Sequence, residues 1–403
     1  MLSAVRYFYQ FSALHAFLIG LLPFFLPTIL WRQDYTLSDI SLFIALSGMG
    51  YFLCLILWEK LRSSEQKIWA IRSSFVIESL LVAYLVMADD QLNLTVLALL
   101  NGIYGCFYWM SQRFLFKDVS NRKNSGNHFG NFQILVAVLL KIGILSGAFL
   151  LEEGNQSALL VLTIAISLAG IVATFGRAVT GEIKAALSAE RVSLKQALNL
   201  KDIHNSRLVF IVDGLFLFLE SYFWTLSLYF LSQENLMKLG GVVVGLTVVM
   251  AVLFWLVKNT IDKTDALRLF KVATVLYAMS WVLRGLVDIS FPEFVQLLMI
   301  LAIAFLTSLF RLSFNKLFFD RSERTTTYAY LLAKSYYSQL GVTLFFCLIG
   351  WWLVGKEDPL SSLNSVYWCA ALLAPCFLLY SRKVENHSVR STVTTEDKSC
   401  NVY

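Results

Sequence analysis

Apolar residues run along this chain in stretches of about 20, separated by short charged segments. That length matches the roughly 30 Å hydrocarbon core of a bilayer. Lipid offers no partner to a loose N–H or C=O, so each stretch must be helical. Nothing alternates in the manner of barrel strands. Twelve spans are predicted: Tyr7–Trp31, Ser38–Trp58, Trp69–Ala88, Leu94–Phe116, Asn127–Leu151 and Ser157–Phe175, then Leu208–Leu231, Leu239–Val257, Leu269–Val287, Phe294–Leu317, Tyr328–Val354 and Leu363–Tyr380. Pro23 and Pro27 are expected to kink span 1. That first run is too long for the apolar core of a cleavable signal and has no small-residue cleavage site.

Composition agrees. Of 403 residues 58% are apolar and 15% charged, and a soluble chain of this length needs far more polar surface. The net charge of +6 raises the question of nucleic acid, and its distribution answers it. With the N-terminus in the cytoplasm, Arg6 and the basic residues of Lys60–Arg72, Lys117–Lys123, Arg177–Arg207, Lys258–Lys271, Lys316–Arg324 and Arg382–Lys398 share one side. Only Arg32, Lys238 and Lys356 lie opposite. This asymmetry sets topology, and no nucleic-acid partner is expected.

The reading is therefore an all-α membrane protein with twelve transmembrane helices in two six-helix bundles related by a parallel pseudo-repeat. The bundles are 1–176 and 208–381, joined by a cytoplasmic connection, 177–207, with a disordered tail, 382–403. The connection looks amphipathic around Ile183–Leu200 and is expected to form a helix on the cytoplasmic face. The repeat shows at the end of spans 4 and 10. Shifted by about 202 residues, Ser111, Leu115, Phe116, Asp118, Ser120 and Arg122 match Ser313, Leu317, Phe318, Asp320, Ser322 and Arg324.

Six plus six helices with both termini inside resemble the major facilitator superfamily of secondary transporters, over about Tyr7–Arg382. The family's G-x-L-x-D-R-x-G-R loop between helices 2 and 3 corresponds to LILWEKLRSSEQK at Leu55–Lys67, where Leu57, Glu59-Lys60 and Arg62 fit and both glycines are missing. The family's R-x-x-x-G in helix 4 corresponds to the stretch around Asn101-Gly102-Ile103-Tyr104-Gly105, with Ala98 in place of the Arg. The exporter signature of helix 5 is matched by Gly143 and Gly147, with Ala148 in place of the proline. The resemblance implies a cavity lined by helices 1, 4, 7 and 10, with 2, 5, 8 and 11 at its sides. It also implies alternating access and export in exchange for protons.

Charges inside spans mark the candidate chemistry, because each costs at least a few kcal/mol in hydrocarbon unless paired or hydrated. The bases are Arg113, Lys141, Arg284, Arg311 and Lys334; the acids are Glu78, Asp213 and Glu220. Asp213 and Glu220 are seven apart on span 7, hence on one face, and are the candidate proton carriers. The candidate substrate-binding residues are Asn101, Tyr104, Tyr108 and Gln112 on span 4, Lys141 on span 5, Trp224 on span 7, Arg311 and Asn315 on span 10, and Lys334 on span 11. Arg311 is expected to approach Asp213 or Glu220, or to share a cavity with Lys141. The competing reading makes these charges ion pairs that only lock helices together. Glu78 and Arg284, on peripheral spans, read as structural pairs; Arg113 reads as a side chain reaching for the interface, and His15 as a packed side chain rather than a proton carrier.

Other classes fit poorly. His15, His128, His204 and His387 form no catalytic box, no Walker loop is present, and the cysteines have no metal-like spacing, so neither an enzyme nor a cofactor is expected. The expectation is a monomer in a bacterial cytoplasmic membrane, exporting a small organic molecule, anionic or siderophore-like, against protons. An importer of a small metabolite and a lipid carrier of the flippase type are the alternatives.

Overall fold

The computed structural model describes residues 2–88, 92–120, 125–188, 190–199, 205–263, 265–323 and 327–381. The tail expected to be disordered lies outside the described residues. Among the described residues are twelve apolar helices, eleven of them long enough to cross a bilayer. They are α1 (Leu2–Leu21, continued as Leu26–Arg32), α2 (Leu37–Arg62), α3 (Ile68–Ala88), α4 (Leu94–Ser120), α5 (Ser125–Glu152) and α6 (Gln156–Val172). The second set is α7 (Ser206–Leu231), α8 (Leu236–Lys263), α9 (Ala266–Leu286), α10 (Glu293–Glu323), α11 (Thr327–Leu353) and α12 (Pro359–Leu373, running on to Ser381). The chain is an integral membrane protein, and its described residues contain no strand.

Local chemistry sets the breaks. Pro23 and Pro27 each sit at the start of a helical segment, and between them α1 tightens into a 3-10 turn, Pro23–Phe25. Thr36 and Asp39 form a capping box that starts α2. At 17 residues α6 is about 26 Å long, short for the bilayer core, and its buried polar residues Thr163 and Ser167 lie in a helix packed on α3. In contrast, α4 and α10 both overrun their predicted ends, by the same stretch that carries the repeat.

The pseudo-repeat is a packing repeat. In the first half α1 lies along α5 and α3 along α6; in the second, α7 lies along α11 and α9 along α12. Both leading pairs approach through glycine. A Cβ on Gly143 would stand 2.2 Å from the Phe17 carbonyl oxygen, and one on Gly214 would stand 2.0 Å from that of Ser338. Neither position admits a side chain without moving backbone. Between the halves, α2 packs on α11 and α5 on α8.

The connection between the halves holds two short helices, Arg177–Ala186 and Leu194–Leu198, not the single helix expected. Ser193 starts the second with a capping box to Gln196. Ile183, Ala186, Leu187 and Ala197 are buried, so the connection's apolar face covers protein. Arg62 pins the break between the two helices. Its side chain is fully buried, makes two contacts with Glu59 at 2.6 and 2.7 Å, and donates to the carbonyls of Leu187 and Glu190 at 2.7 and 3.1 Å. Glu59 in turn accepts the Val192 amide at 2.9 Å. On the far side, the Tyr337 hydroxyl of α11 donates to the Leu198 carbonyl at 2.6 Å. The connection thus ties the end of α2 to α11.

Candidate functional site

The second bundle brings four charges together. Asp213 and Glu220 come from α7, Arg311 from α10 and Lys334 from α11. Gly214 lets α11 close on α7, which sets Lys334 Nζ 3.4 Å from Asp213 Oδ2. The helix itself changes at the second acid: Leu219–Phe223 is a π-helical segment that contains Glu220. Such single-turn widenings cost helix stability and concentrate at functional positions.

Arg311 bridges the two acids. Its Nη1 donates to Asp213 Oδ1 at 2.5 Å, its Nε to Glu220 Oε2 at 2.9 Å and its Nη2 to Glu220 Oε1 at 3.0 Å. The Tyr277 hydroxyl of α9 also donates to Glu220 Oε1. The Tyr277 ring stacks on Phe310 at 4.1 Å, so the guanidinium sits among aromatic faces. Lys334 lies 4.3 Å from the centroid of the Phe318 ring. Exposure is uneven: the side chains of Asp213 and Lys334 are 0% and 8% exposed, those of Arg311 and Glu220 16% and 17%. Two acids and two bases sum to zero charge. Glu220 and Arg311 are the partly exposed members, and Glu220 shares its partner with the buried Asp213. A proton or a rival carboxylate at Glu220 therefore changes what Arg311 binds without stripping Asp213, which keeps Lys334.

The other predicted residues are placed more widely. Asn101 of α4 donates to Ser47 of α2 at 3.2 Å and to the Tyr222 hydroxyl of α7 at 3.1 Å, so it sits between the halves. Trp224 is buried under Arg284, with 5.0 Å between guanidinium and ring. Tyr104 and Tyr108 do not join the shared axis. They turn into the first bundle beside His15, 6.2 and 4.6 Å away between ring centroids. Gln112 is half-buried and Asn315 exposed, and neither makes a side-chain hydrogen bond among the described residues. Lys141 is half-buried on α5 and joins neither the cluster nor any ion pair among the described residues.

Of the remaining charges, Arg113 and Arg284 differ from expectation and Glu78 does not. Arg113 does not reach for the interface; its Nη1 donates to Ser335 of α11 at 2.6 Å. Arg284 has no acid in hydrogen-bond contact and is held by Ser280, Thr307 and the Trp281 ring, the last at 4.2 Å. Glu78 pairs with His15. Sequence reasoning passed over Tyr277 and Tyr222, because a tyrosine in a span reads as packing until a neighbouring helix shows what its hydroxyl meets.

No family model and no curated protein matches the chain. Solved structures do. The nucleoside transporter NupG is similar at 12% identity with a TM-score of 0.62, over 94% of this chain and 99% of that one. A bacterial homologue of the human drug peptide transporters PepT1 and PepT2 is similar at 12% identity and 0.62, over 93% and 98%. An auto-inhibited POT family peptide transporter gives 0.54 at 12% identity, over 95% and 98%. At such identities the likeness is one of fold: this chain is a two-bundle helical membrane protein built on the architecture of these transporter structures.

Proposed function

We propose that the chain is a secondary active transporter of the major facilitator type, which moves a small organic anion or zwitterion by alternating access and couples that movement to protons. The observation that carries the proposal is the Asp213–Arg311–Glu220–Lys334 cluster, a neutral set of buried charges with one acid partly open to water. Helix locking needs only one pair; a second acid on a π-helical turn, sharing one guanidinium, is a switchable arrangement. Lys141 and Arg113 add positive charge in the membrane beyond the neutral four, which favours a carboxylate metabolite or siderophore-like chelate over a cation.

In this scheme substrate and Glu220 compete for Arg311. A protonated Glu220 leaves the guanidinium free for a substrate carboxylate, and an ionised Glu220 takes it back. The two bundles, 1–176 and 208–381, rock about the α2–α11 and α5–α8 contacts, with both termini and the 177–207 connection in the cytoplasm of a bacterial cell. Proton and substrate bind together in this scheme, so an inward proton gradient drives uptake; the Gly143 and Gly147 spacing that suggested export has a packing role against α1.

The test is purified chain in proteoliposomes, offered a labelled dicarboxylate, a ferric hydroxamate chelate, a dipeptide and a nucleoside, with and without a pH gradient. The proposal expects flux of an acidic or zwitterionic solute that follows the proton gradient toward the more alkaline compartment. Flux of none, or of phospholipid alone, overturns it.

A further inference from the structure

The first bundle holds a second titratable group that the scheme above leaves idle. We propose that His15, Glu78 and Ser74 form a one-proton site in the first bundle, separate from Glu220. His15 and Glu78 are both 0% exposed. His15 Nδ1 lies 3.0 Å from Glu78 Oε2, and Nε2 lies 2.8 Å from Ser74 Oγ. Ser74 Oγ also lies 2.7 Å from the Ile71 carbonyl.

These distances fix the proton count. A hydroxyl has one hydrogen to give. When Ser74 gives it to the Ile71 carbonyl, Oγ accepts from Nε2, so Nε2 carries a proton. The 3.0 Å contact at Nδ1 then needs a proton of its own, on the nitrogen or on the acid. The set is imidazolium–carboxylate or imidazole–carboxylic acid, and its net charge is zero. When Ser74 turns its hydrogen to Nε2, that nitrogen is bare, Nδ1–H donates to an ionised Glu78, and the net charge is −1. The two states differ by one proton and the rotation of one hydroxyl, with every heavy atom in place. The proton comes from, and returns to, water.

The surroundings choose between the states. His15 stacks on Phe75 at 4.1 Å and meets Phe11 at 4.6 Å between ring centroids. The titratable groups that face the pair from α4 are Tyr104 and Tyr108. On α3, Arg72 is engaged elsewhere, with Thr174 at 2.8 Å and the Phe175 ring at 4.3 Å. α6 has no titratable residue, and Lys141 of α5 is not paired with either member. Glu182 and Lys184 lie on the short helix that also packs on α1. An unbalanced charge in such a core is costly, so the conformation seen here holds the proton and gives it up only when water enters. Glu78 Oε1 and the Tyr104 hydroxyl face each other without completing a hydrogen bond, so water entering beside them finds an acceptor and a donor.

Loading has a physical route to the second bundle. Tyr104 lies one turn from Asn101, and Asn101 holds Tyr222, which shares the π-helical turn with Glu220. Coupling along that route rests on the transport reading; proton binding itself does not.

The test reads the proton directly. Full-length chain carrying 15N-histidine is placed in lipid nanodiscs and titrated from about pH 9 to about pH 5, across the range where histidine changes charge. His15 is assigned from His15→Gln, and the Glu78 carboxyl stretch in the infrared from Glu78→Gln. The expected result is a His15 with a protonated Nε2 beside a shared Nδ1–Oε2 proton, with the carboxylic-acid band, where formed, lost in Glu78→Gln. A neutral His15 protonated only at Nδ1, beside an ionised Glu78 at every pH, overturns the proposal. If Glu78→Gln fails to fold, the unsubstituted chain still decides through the His15 resonances. No substrate is needed, so a chain that transports none of the solutes above still gives an answer.

Discussion

Replacing Arg311 by Gln strips the bridging cation from two buried acids. Asp213 keeps Lys334 at 3.4 Å, and Glu220 keeps only the Tyr277 hydroxyl. The local charge falls from zero to −1. Removing one partner of a buried pair costs about 3–5 kcal/mol, because the charge left behind is uncompensated. At 16–17% exposure for Arg311 and Glu220, solvent screening trims this only modestly. Adding Glu220→Gln to Arg311→Gln returns the sum to zero, so the double variant should regain at least about 2 kcal/mol of that loss. Ordinary polar contacts between membrane helices couple by only about 0.6 kcal/mol on average, so the two mechanisms are well separated. The assay is equilibrium unfolding in mixed micelles, followed by the fluorescence of the 10 tryptophans, on the native chain, both single variants and the double. A coupling energy below about 1 kcal/mol would refute the charge-compensation argument and leave the cluster as polar packing.

Other consequences are as direct. Gly143→Leu should cost more than about 2 kcal/mol, since the first added carbon already meets the Phe17 carbonyl at 2.2 Å, whereas Gly245→Ala, with nothing within 4 Å, should be neutral or slightly stabilising; thermal melts in detergent compare them. Arg62→Ala should free the connection between the two short helices, raising protease cleavage near Glu190 several-fold, while Lys60→Ala should leave it unchanged. A cysteine at Ala185 should react with an impermeant maleimide only from the cytoplasmic side, and labelling from outside in intact cells would reverse the proposed topology.

Much of the fold was legible because bilayer thickness and Lys/Arg placement act on sequence directly. Eleven of the predicted spans recur as helices of sufficient length, and α6 falls short because its helix ends at Val172, before the predicted end at Phe175. The short match at Ser111 and Ser313 falls on α4 and α10, the equivalent helices of the two halves. Charge also anticipated the approach of Arg311 to Asp213 and Glu220, because an unpaired charge there is too costly to persist. Helical rotation was harder to read. Tyr104 and Tyr108 lie one turn apart below Asn101, yet only Asn101 faces the other half, since a line of similar polar aromatics does not say which neighbour it meets. His15 and Glu78 lie on different helices, 63 residues apart, and no local pattern links them. The π-helical turn at Leu219–Phe223 has no propensity signature either; Glu220 and Tyr222 on it are held from outside, by Arg311 and Asn101.

The central claim, that a partly open acid sharing Arg311 couples a proton to substrate, is tested most directly by Glu220→Gln in proteoliposomes. Gln keeps the size of the side chain and an acceptor for Tyr277, and removes the titration. With any solute that the native chain moves, the account predicts loss of pH-gradient-driven accumulation while exchange of labelled for unlabelled solute continues. Gradient-driven accumulation at the native rate, with exchange unaltered, would contradict it.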